Sequence, residues 1–570
     1  MTAIDRRAFI RRGAALAGGL VVAGPLQAYA ANVAEARPSR GKGYGELRLA
    51  EGGDLRLPKG FRYRVISQQG RTMSDGNPTP GICDGMAAFP GPRGSTILMR
   101  NHENRNPFFP GSQFEIPVVV SGDKRYDRNP IFNAGVTKLV VSEDLRVVRD
   151  FAVLGGTTTN CAGGRTPWGS WITCEEFFFP SPDAEVFEDA DLDVTEPHGY
   201  IFEIDASTER QVQAVPIKTA GHFFHEAVAW RDGILYETED NAVGNLQDAV
   251  AYYRYIPERM PRRVGDLAAT AGTLQALKVA GEPNADLRTG VPVGEPLPIE
   301  WVTIADPNPP DDSVRQEAFS KGAARFTREE GTWSGNGRIY FDCTDGGDNG
   351  TGQVFELDPG RQALTMVYES PDESELDFPD NLVVAPTGDL FLCENGTPPD
   401  FVRGLTPGGR IYDFAQAVTN ETEFAGACFS PDGRTLFLNQ NGGRGPGEPP
   451  GVTYAIWGPF EARSDPDPDP DDGSRPPHGR RPGDGRGGDS NPTSPDRGGG
   501  SVAGREAVVA APVQTGDTNF GAATAAGGNG ELPFTGFPLI ASGGAAAVLI
   551  ATGAVLRRRV ENERRSSDDA

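Results

Sequence analysis

The chain has 570 residues and a formal net charge of −25, from 79 acidic against 54 basic residues. That balance argues against nucleic acid or anionic lipid as a partner and suits a solvated extracellular protein. Glycine (74) and proline (48) are abundant, and the apolar runs are short and β-branched or aromatic, which predicts an all-β fold.

At the N-terminus, Asp5-Arg6-Arg7-Ala8-Phe9-Ile10-Arg11 precedes a weakly apolar stretch, Ala14 to Leu26, and then Ala28-Tyr29-Ala30. The pattern resembles a twin-arginine export signal with an A-x-A cleavage site. Residues 1–30 are read as this signal, with Arg6 and Arg7 as the pair met by the twin-arginine translocase. The resemblance implies export of an already folded protein. Residues 31–463 form the globular part. That length suits one propeller or barrel.

Six hairpins follow in chain order, each a short strand, a turn, an apolar strand and a polar cluster. Asp84 to Phe89 leads through Gly94 to Ile97–Glu103. Cys161 leads through Trp168-Gly169 to Trp171–Glu176, and Glu226–Trp230 through Arg231-Asp232-Gly233 to Ile234–Asn241. Glu330–Trp333 turns at Gly335-Asn336-Gly337 into Arg338–Asp345. Asp380–Ala385 turns at Pro386-Thr387-Gly388 into Leu390–Asn395, and Gly426–Phe429 turns at Pro431-Asp432-Gly433 into Leu436–Asn441. Gly-bounded and Pro-Asp-Gly turns are hairpin chemistry. Six such units predict a six-bladed β-propeller with loop insertions, the longest between Asn241 and Arg328.

Beyond Ser464 the composition changes. Ser464 to Asp472 alternates Asp and Pro, and residues 464–530 hold too few large apolar side chains to offset their ordering entropy. This segment is read as a disordered, wall-spanning linker. In residues 531–570, Leu532-Pro533-Phe534-Thr535-Gly536 precedes the mostly apolar run Phe537 to Leu556 and then Arg557-Arg558-Arg559. The apolar run is long enough to span a bilayer, and basic flanks hold the orientation. The pattern resembles an L-P-x-T-G sorting signal of Gram-positive bacteria. It implies cleavage by sortase between Thr535 and Gly536, and attachment of Thr535 to peptidoglycan. The expected location is extracellular and anchored to the cell wall.

In an antiparallel hairpin the start of the first strand lies beside the end of the second. Glu226 is therefore expected near Glu239 and Asp240, Glu330 near Asp342 to Asp345, Asp380 near Glu394, and Cys161 near Glu175 and Glu176. Arranged about an axis, these clusters face one mouth. Like charges a few Å apart cannot all ionise unless cations neutralise them, so the repeated register points to metal binding. Carboxylates suit hard cations such as Ca²⁺ or Mg²⁺, and one thiolate among them adds a transition metal. Strand alternation allows only one of Glu175 and Glu176 to face inward. The six cysteines, Cys83, Cys161, Cys174, Cys343, Cys393 and Cys428, show no metal-knuckle spacing. Their pairing stays open.

Several segments resemble the PhoX family of bacterial alkaline phosphatases. They are N-C-A-G-G-x-T-P-W-G-S-W-x-T-C-E-E at Asn160 to Glu176, N-H-E at Asn101 to Glu103, H-G-Y at His198 to Tyr200 and H-E-A-V at His225 to Val228. T-E-D at Thr238 to Asp240, Y-Y-R-Y-I-P at Tyr252 to Pro257, K-G-A-A-R-F-T-R-E-E-G-T-W at Lys321 to Trp333 and P-D-N at Pro379 to Asn381 complete the set. The resemblance implies a six-bladed propeller that hydrolyses small phosphate esters, with Fe(III) and Ca²⁺ at its site. It implies Cys161 as an iron ligand, carboxylates from Glu175, Glu176, Glu226, Glu239, Asp240, Glu330 and Asp380 around the metals, and Arg328 on the phosphate. A late Q-H-P-G of the family stands here as Gln440-Asn441-Gly442-Gly443, and T-E-D is followed by Asn241. His102, His222 and His225 are either acid–base groups or structural hydrogen-bonding residues. The other readings are a calcium-stabilised propeller that binds a partner without chemistry, and a calcium-dependent lactonase. The domain is expected to be monomeric.

Deleting Leu532 to Gly536 is expected to move the protein from the wall fraction into the membrane or the medium. Replacing Arg6 and Arg7 together by Lys is expected to stop its export. Covalent attachment to peptidoglycan in the deletion variant would overturn the sorting assignment, and undiminished export of the double variant would overturn the twin-arginine one.

Overall fold

Alternation of apolar and small residues, broken by glycine turns, gives the chain a sequence of short antiparallel strands. The computed structural model describes residues 41–105, 114–180, 194–241, 249–445 and 447–461. The segments read from sequence as export signal (1–30), linker (464–530) and sorting segment (531–570) lie outside the described residues. Among the described residues no helix is long and apolar enough to cross a membrane.

The architecture is all-β and propeller-like. After β1 (Leu47–Leu49), β2 (Leu55–Pro58) and β3 (Arg62–Gln68), the first sheet holds β4 (Cys83–Pro90), β5 (Thr96–His102), β6 (Ala134–Val141) and β7 (Val147–Thr157). The second holds β8 (Asn160–Arg165), β9 (Ser170–Glu175) and β10 (Ile201–Asp205). The third begins with β11 (His225–Arg231), β12 (Ile234–Glu239), β13 (Tyr253–Pro257) and β14 (Gly272–Val279). Through β15 (Pro296–Thr303) it continues into β19 (Ala363–Glu369), β18 (Gln353–Asp358), β17 (Arg338–Cys343) and β16 (Glu329–Gly335). The fourth holds β20 (Pro379–Val384), β21 (Leu390–Glu394), β22 (Phe401–Leu405) and β23 (Ile411–Ala417), extended by β2 and β1. The last holds β24 (Phe424–Phe429), β25 (Thr435–Gln440) and β26 (Val452–Trp457), closed by β3 from the N-terminal side.

Among the described residues hydrogen bonding gives five sheets where six separate ones were expected. The difference has a local cause. The long segment after Asn241 supplies β15, which pairs with β14 on one edge and β19 on the other, so two antiparallel units fuse into nine strands.

The six predicted hairpins are all present, and their first strands form a closed circuit. β4 packs on β8, β8 on β11, β11 on β16, β16 on β20, β20 on β24, and β24 on β4. Alternate residues of each strand face opposite neighbours. In β4, Met86 and Ala88 join Phe437 and Ala455 of the last sheet, while Ala87 and Phe89 join Trp171 and Phe202 of the second. Similar apolar layers fill the other interfaces, such as Tyr252, Phe341 and Phe355 inside the nine-stranded sheet. The six cysteines are buried and free.

Each inner hairpin carries a register shift near the start of its first strand. The residues in excess are Asp84-Gly85, Cys161-Ala162, Glu226-Ala227, Glu330-Gly331, Asp380 and Gly426-Ala427. A bulge of this kind bends the strand and re-aims a side chain. A bulged residue is glycine where neighbouring backbones touch, the first of its pair at Gly426 and the second at Gly331. At Gly426, with φ +60°, an added Cβ would lie 2.2 Å from the Asp84 carbonyl oxygen. At Gly331 it would lie 2.7 Å from Leu382 N. Gly426→Ala is expected to destabilise the domain by about 1–3 kcal/mol, because the obstructing atom is backbone and cannot rotate away. Urea unfolding of the metal-loaded domain measures this. A midpoint equal to that of the parent would contradict the close approach.

Candidate metal centre

The first bulged residue of five hairpins is Asp84, Cys161, Glu226, Glu330 or Asp380, and the bulge turns each toward the same mouth. A second ring comes from the residue just past each second strand: Glu103, Glu176, Asp240, Thr344, Asn395 and Asn441. Three sets of donor atoms converge, each within 4.8 Å of one another: Cys161, Glu176 and Glu226; Glu226, Glu330 and Asp380; and Asp84, Glu103 and Glu423. Glu226 belongs to two sets and so can bridge two cations.

The donor set fits a metal centre on its own chemistry. Asp84 Oδ1, Glu226 Oε2 and Asp240 Oδ1 are buried with no hydrogen-bond partner. Buried carboxylate oxygens left this way are costly unless a cation or a proton meets them. Burial and neighbouring carboxylates push Asp84, Glu176, Glu226, Glu330 and Glu423 well above the usual carboxylate range. Burial, partly offset by Arg328, raises Asp380 to about 6. Burial and then Glu226 push the Cys161 thiol up, and its Sγ lies 3.4 Å from the Glu226 carbonyl oxygen. Bound cations reverse this logic by favouring the ionised donors.

Three guanidinium groups stand among these acids. Arg328 donates to Asp240 Oδ2 at 2.9 Å and Glu330 Oε1 at 2.7 Å. Its backbone is left-handed (φ 34°), a conformation that costs a non-glycine residue on the order of 1–3 kcal/mol. Thr344 N, which donates to Arg328 O at 3.0 Å, helps hold it there. Arg444 donates to Glu103 Oε2 at 2.7 Å and to Glu115. Arg105 donates through Nε to Glu103 Oε1 at 3.1 Å. Burial opposes ionisation of Glu103, but Arg105 and Arg444 outweigh it and hold its carboxyl below the usual range.

Two of the sequence-predicted ligands face away from the mouth. Glu175 accepts His198 Nδ1 at 2.7 Å and the backbone N–H groups of Thr158, Gly199 and Tyr200. Glu239 accepts Arg315 at 2.5 Å, Tyr253 Oη at 3.1 Å and Ala251 N at 3.2 Å. Both are the last residue of a strand, and alternation directs the next residue, Glu176 or Asp240, inward. Glu394 turns outward in the same way, to Arg403. Cys161, Glu176, Glu226, Glu330 and Asp380 come together as expected, and Asp240 joins the mouth through Arg328.

The described histidines are buried and bond within the fold. Burial holds His102, His222 and His225 below the ordinary imidazole range, His225 at about 3. His102 bonds to Gly81 O and Thr137 Oγ1, and His222 to Pro309 O and His198 O. His198 lies between Glu175 and Asp127, which raise it to about 9 against the opposing effect of burial.

Asp84, Glu103, Glu423, Glu115, Arg105 and Arg444 were not nominated from sequence. The hairpin rule that selected Glu226 and Asp240 also fits Asp84 and Glu103. Arg444 carried no signal, since it reaches Glu103 across 341 residues.

The fold is all-β and propeller-like, and its mouth gathers carboxylates, one thiol and guanidinium groups in sets that could hold cations. The profile described as alkaline phosphatase PhoX matches residues 42–153 and 144–443, and the chain belongs to that phosphatase family. A solved structure of Pseudomonas fluorescens PhoX in complex with vanadate is similar at TM-score 0.54 and 19% identity, covering 71% of this chain and 96% of that one. A gluconolactonase from Xanthomonas campestris is more distant, at TM-score 0.36 and 12% identity over 74% of this chain and 99% of that one. No curated protein sequence matches the chain.

Glu176→Gln is expected to lose bound cation, whereas Glu175→Gln is expected to keep the full metal content and lower the melting temperature. Metal analysis and thermal unfolding of both variants check this. Loss of metal from Glu175→Gln with none from Glu176→Gln would reverse the assignment of the two faces.

Proposed function

We propose that this chain is an extracytoplasmic phosphomonoesterase whose centre holds Fe(III) and Ca²⁺ at the mouth of a six-bladed propeller. The nine-stranded sheet counts as two blades joined by β15, and the ring of six inner strands supports that count. The observation that carries the reading is Glu226, shared between two donor sets with one oxygen unpartnered, one of those sets being touched by Arg328 through Glu330. Export through the twin-arginine route and display on the wall by sortase are part of the proposal.

Cys161, Glu176 and Glu226 would hold iron, since a thiolate among carboxylates suits a transition metal. Glu330, Asp380, Asp84, Glu103 and Glu423 offer oxygen donors of the kind calcium takes. When bound, such cations polarise phosphoryl oxygens and lower the pKa of water. Uncatalysed phosphate monoester hydrolysis is among the slowest reactions known, so a large electrostatic contribution is required.

The chain's own residues do the rest. Arg328 presents a planar, permanently charged donor fork to phosphate. Asp240 and Glu330 fix its direction before substrate arrives, which limits reorganisation during the reaction. Every imidazole described is engaged within the fold, so proton transfer falls to water and the carboxylates at the mouth.

Metal analysis and p-nitrophenyl phosphate turnover on the same sample test the reading. Arg328→Ala is expected to keep the metals and lose roughly 2–4 kcal/mol of transition-state stabilisation, the scale of one preorganised oxyanion donor. Glu330→Ala is expected to lose metal and turnover together, and a calcium chelator to lower the melting temperature. If the parent, loaded with iron and calcium, hydrolyses no phosphomonoester, the proposal fails. A partner-binding role or a lactonase activity then takes its place.

A further inference from the structure

The end of the molecule opposite the mouth holds a cavity of about 460 Å³, where the inner strands β4, β8, β11 and β16 run into their turns. Phe89, Trp230 and Trp333 line it with aromatic rings, and Pro431 from the turn after β24 lines it as well. Trp168 packs edge-on against Trp230 with ring centres 4.9 Å apart, and its own Nε1 donates to Glu203 at 2.6 Å. The Trp230 indole is therefore held in place from behind. Arg165, the last residue of β8, is the one charged side chain among the lining residues. It is exposed, and its guanidinium carbon lies 5.9 Å from the centre of the Trp333 ring. Among the described residues no carboxylate pairs with this guanidinium and no carbonyl accepts from it. Aromatic walls with a single unanswered positive charge suit a compact apolar group that carries a negative charge.

The chain itself supplies such a group nearby. Phe460 packs against Phe429 with ring centres 5.1 Å apart, and Phe429 lies two residues before Pro431. Tyr44 Oη donates to Phe460 O at 2.7 Å and pins the chain at this point. The described residues end at Glu461, and Asp465-Pro466-Asp467 follows shortly after in the sequence. Five residues of extended chain beyond Phe460 reach about 17 Å. Proline fixes its own φ and drives the residue before it to extended backbone, so an Asp-Pro alternation has little conformational entropy to lose on binding. Aromatic-lined grooves take proline-rich segments for this reason. Aspartates on either side of the proline match a planar guanidinium that lacks an acceptor.

We propose that Asp465-Pro466-Asp467 docks in this cavity of its own chain, with Pro466 against the indoles and an aspartate on Arg165. Docking there fastens the C-terminal segment to the face away from the carboxylates and leaves the mouth clear. The inference uses neither the metals nor the phosphomonoesterase reading.

The test uses the full-length chain with Ser464 replaced by p-benzoylphenylalanine, and mass spectrometry maps its photo-cross-links. The expected product is an intrachain link to peptides containing Trp230, Trp333 or Pro431. Arg165→Glu, and separately Asp465→Lys with Asp467→Lys, are expected to lower its yield about threefold or more, because each replaces a partly exposed charge pair by repulsion. The variant that combines all three substitutions reverses both partners and is expected to regain the yield. Metal content and p-nitrophenyl phosphate turnover should match the parent throughout, since the cavity lies opposite the mouth. Links only to other parts of the chain overturn the proposal, as does a yield that neither set of substitutions changes or that the combined variant does not recover. Links between two copies, seen as a dimer on a denaturing gel, assign the cavity to a neighbouring molecule and overturn docking within one chain. Should Arg165→Glu fail to fold, the aspartate double variant leaves the propeller unaltered and decides alone: an undiminished yield rejects the proposal.

Discussion

Electrostatic repulsion among buried carboxylates is the constraint around which this molecule is organised. Asp84, Glu176, Glu226, Glu330, Asp380 and Glu423 are drawn into one mouth, where burial and mutual charge disfavour their ionised forms. A protein interior cannot hold such a group as bare anions. Protons, arginines or cations must answer it. The arginines present, Arg105, Arg328 and Arg444, are too few for the acids they face. The unpartnered oxygens of Asp84, Glu226 and Asp240 mark where a proton or a cation is still needed.

One backbone device produces this convergence. Each inner hairpin is shifted in register where its first strand reaches the mouth, and in five of the six the first bulged residue is an acid or Cys161. The second is glycine or alanine in most copies, because there the neighbouring inner strand presses against it. Gly331, second in its bulge after Glu330, has no room for a Cβ against Leu382 N, so side-chain placement and strand approach are two consequences of one distortion. The same bulges bring hydroxyl and amide side chains across the gaps. Thr238 Oγ1 donates to Glu330 O at 2.6 Å, and Asn101 Nδ2 donates to Cys161 O at 2.9 Å. These bonds tie each ligand-bearing bulge to the preceding unit, and give the mouth a rigidity that separate loops would lack.

Behind the mouth lies a second layer of paired charges that does not face it. Glu175 with His198 and Asp127, Glu239 with Arg315 and Asp312, and Glu394 with Arg403 are all buried ion pairs at strand ends. Burial leaves Glu239 and Glu394 at about 7 despite their arginine partners. Buried pairs of this kind add little net stability, yet removing one partner is strongly destabilising. Their consequence here is geometric, because each fixes the residue next to a mouth side chain. A cavity of about 460 Å³ at the opposite, turn end is lined by Phe89, Arg165, Trp230 and Trp333 and by no carboxylate, so it offers nothing of this chemistry.

The sequence by itself determined a great deal. Gly-bounded turns between apolar runs specified all six hairpins, because turn chemistry is local. The pairing of strand starts with strand ends placed Glu226, Glu330, Asp380 and Cys161 beside the acids that follow each second strand. What only the tertiary structure decided was direction. Whether Glu175 or Glu176, and Glu239 or Asp240, faces the mouth depends on strand alternation measured from a bulge that the sequence does not announce. The fusion of two units through β15 was equally hidden, since sheet edges join by backbone groups that every residue carries. Arg444 and Glu423 become part of the centre only when the last hairpin closes against the first, bringing Glu103 and Arg444 together across 341 residues. Local patterns record local geometry, whereas contacts made by ring closure leave no periodic trace in the chain.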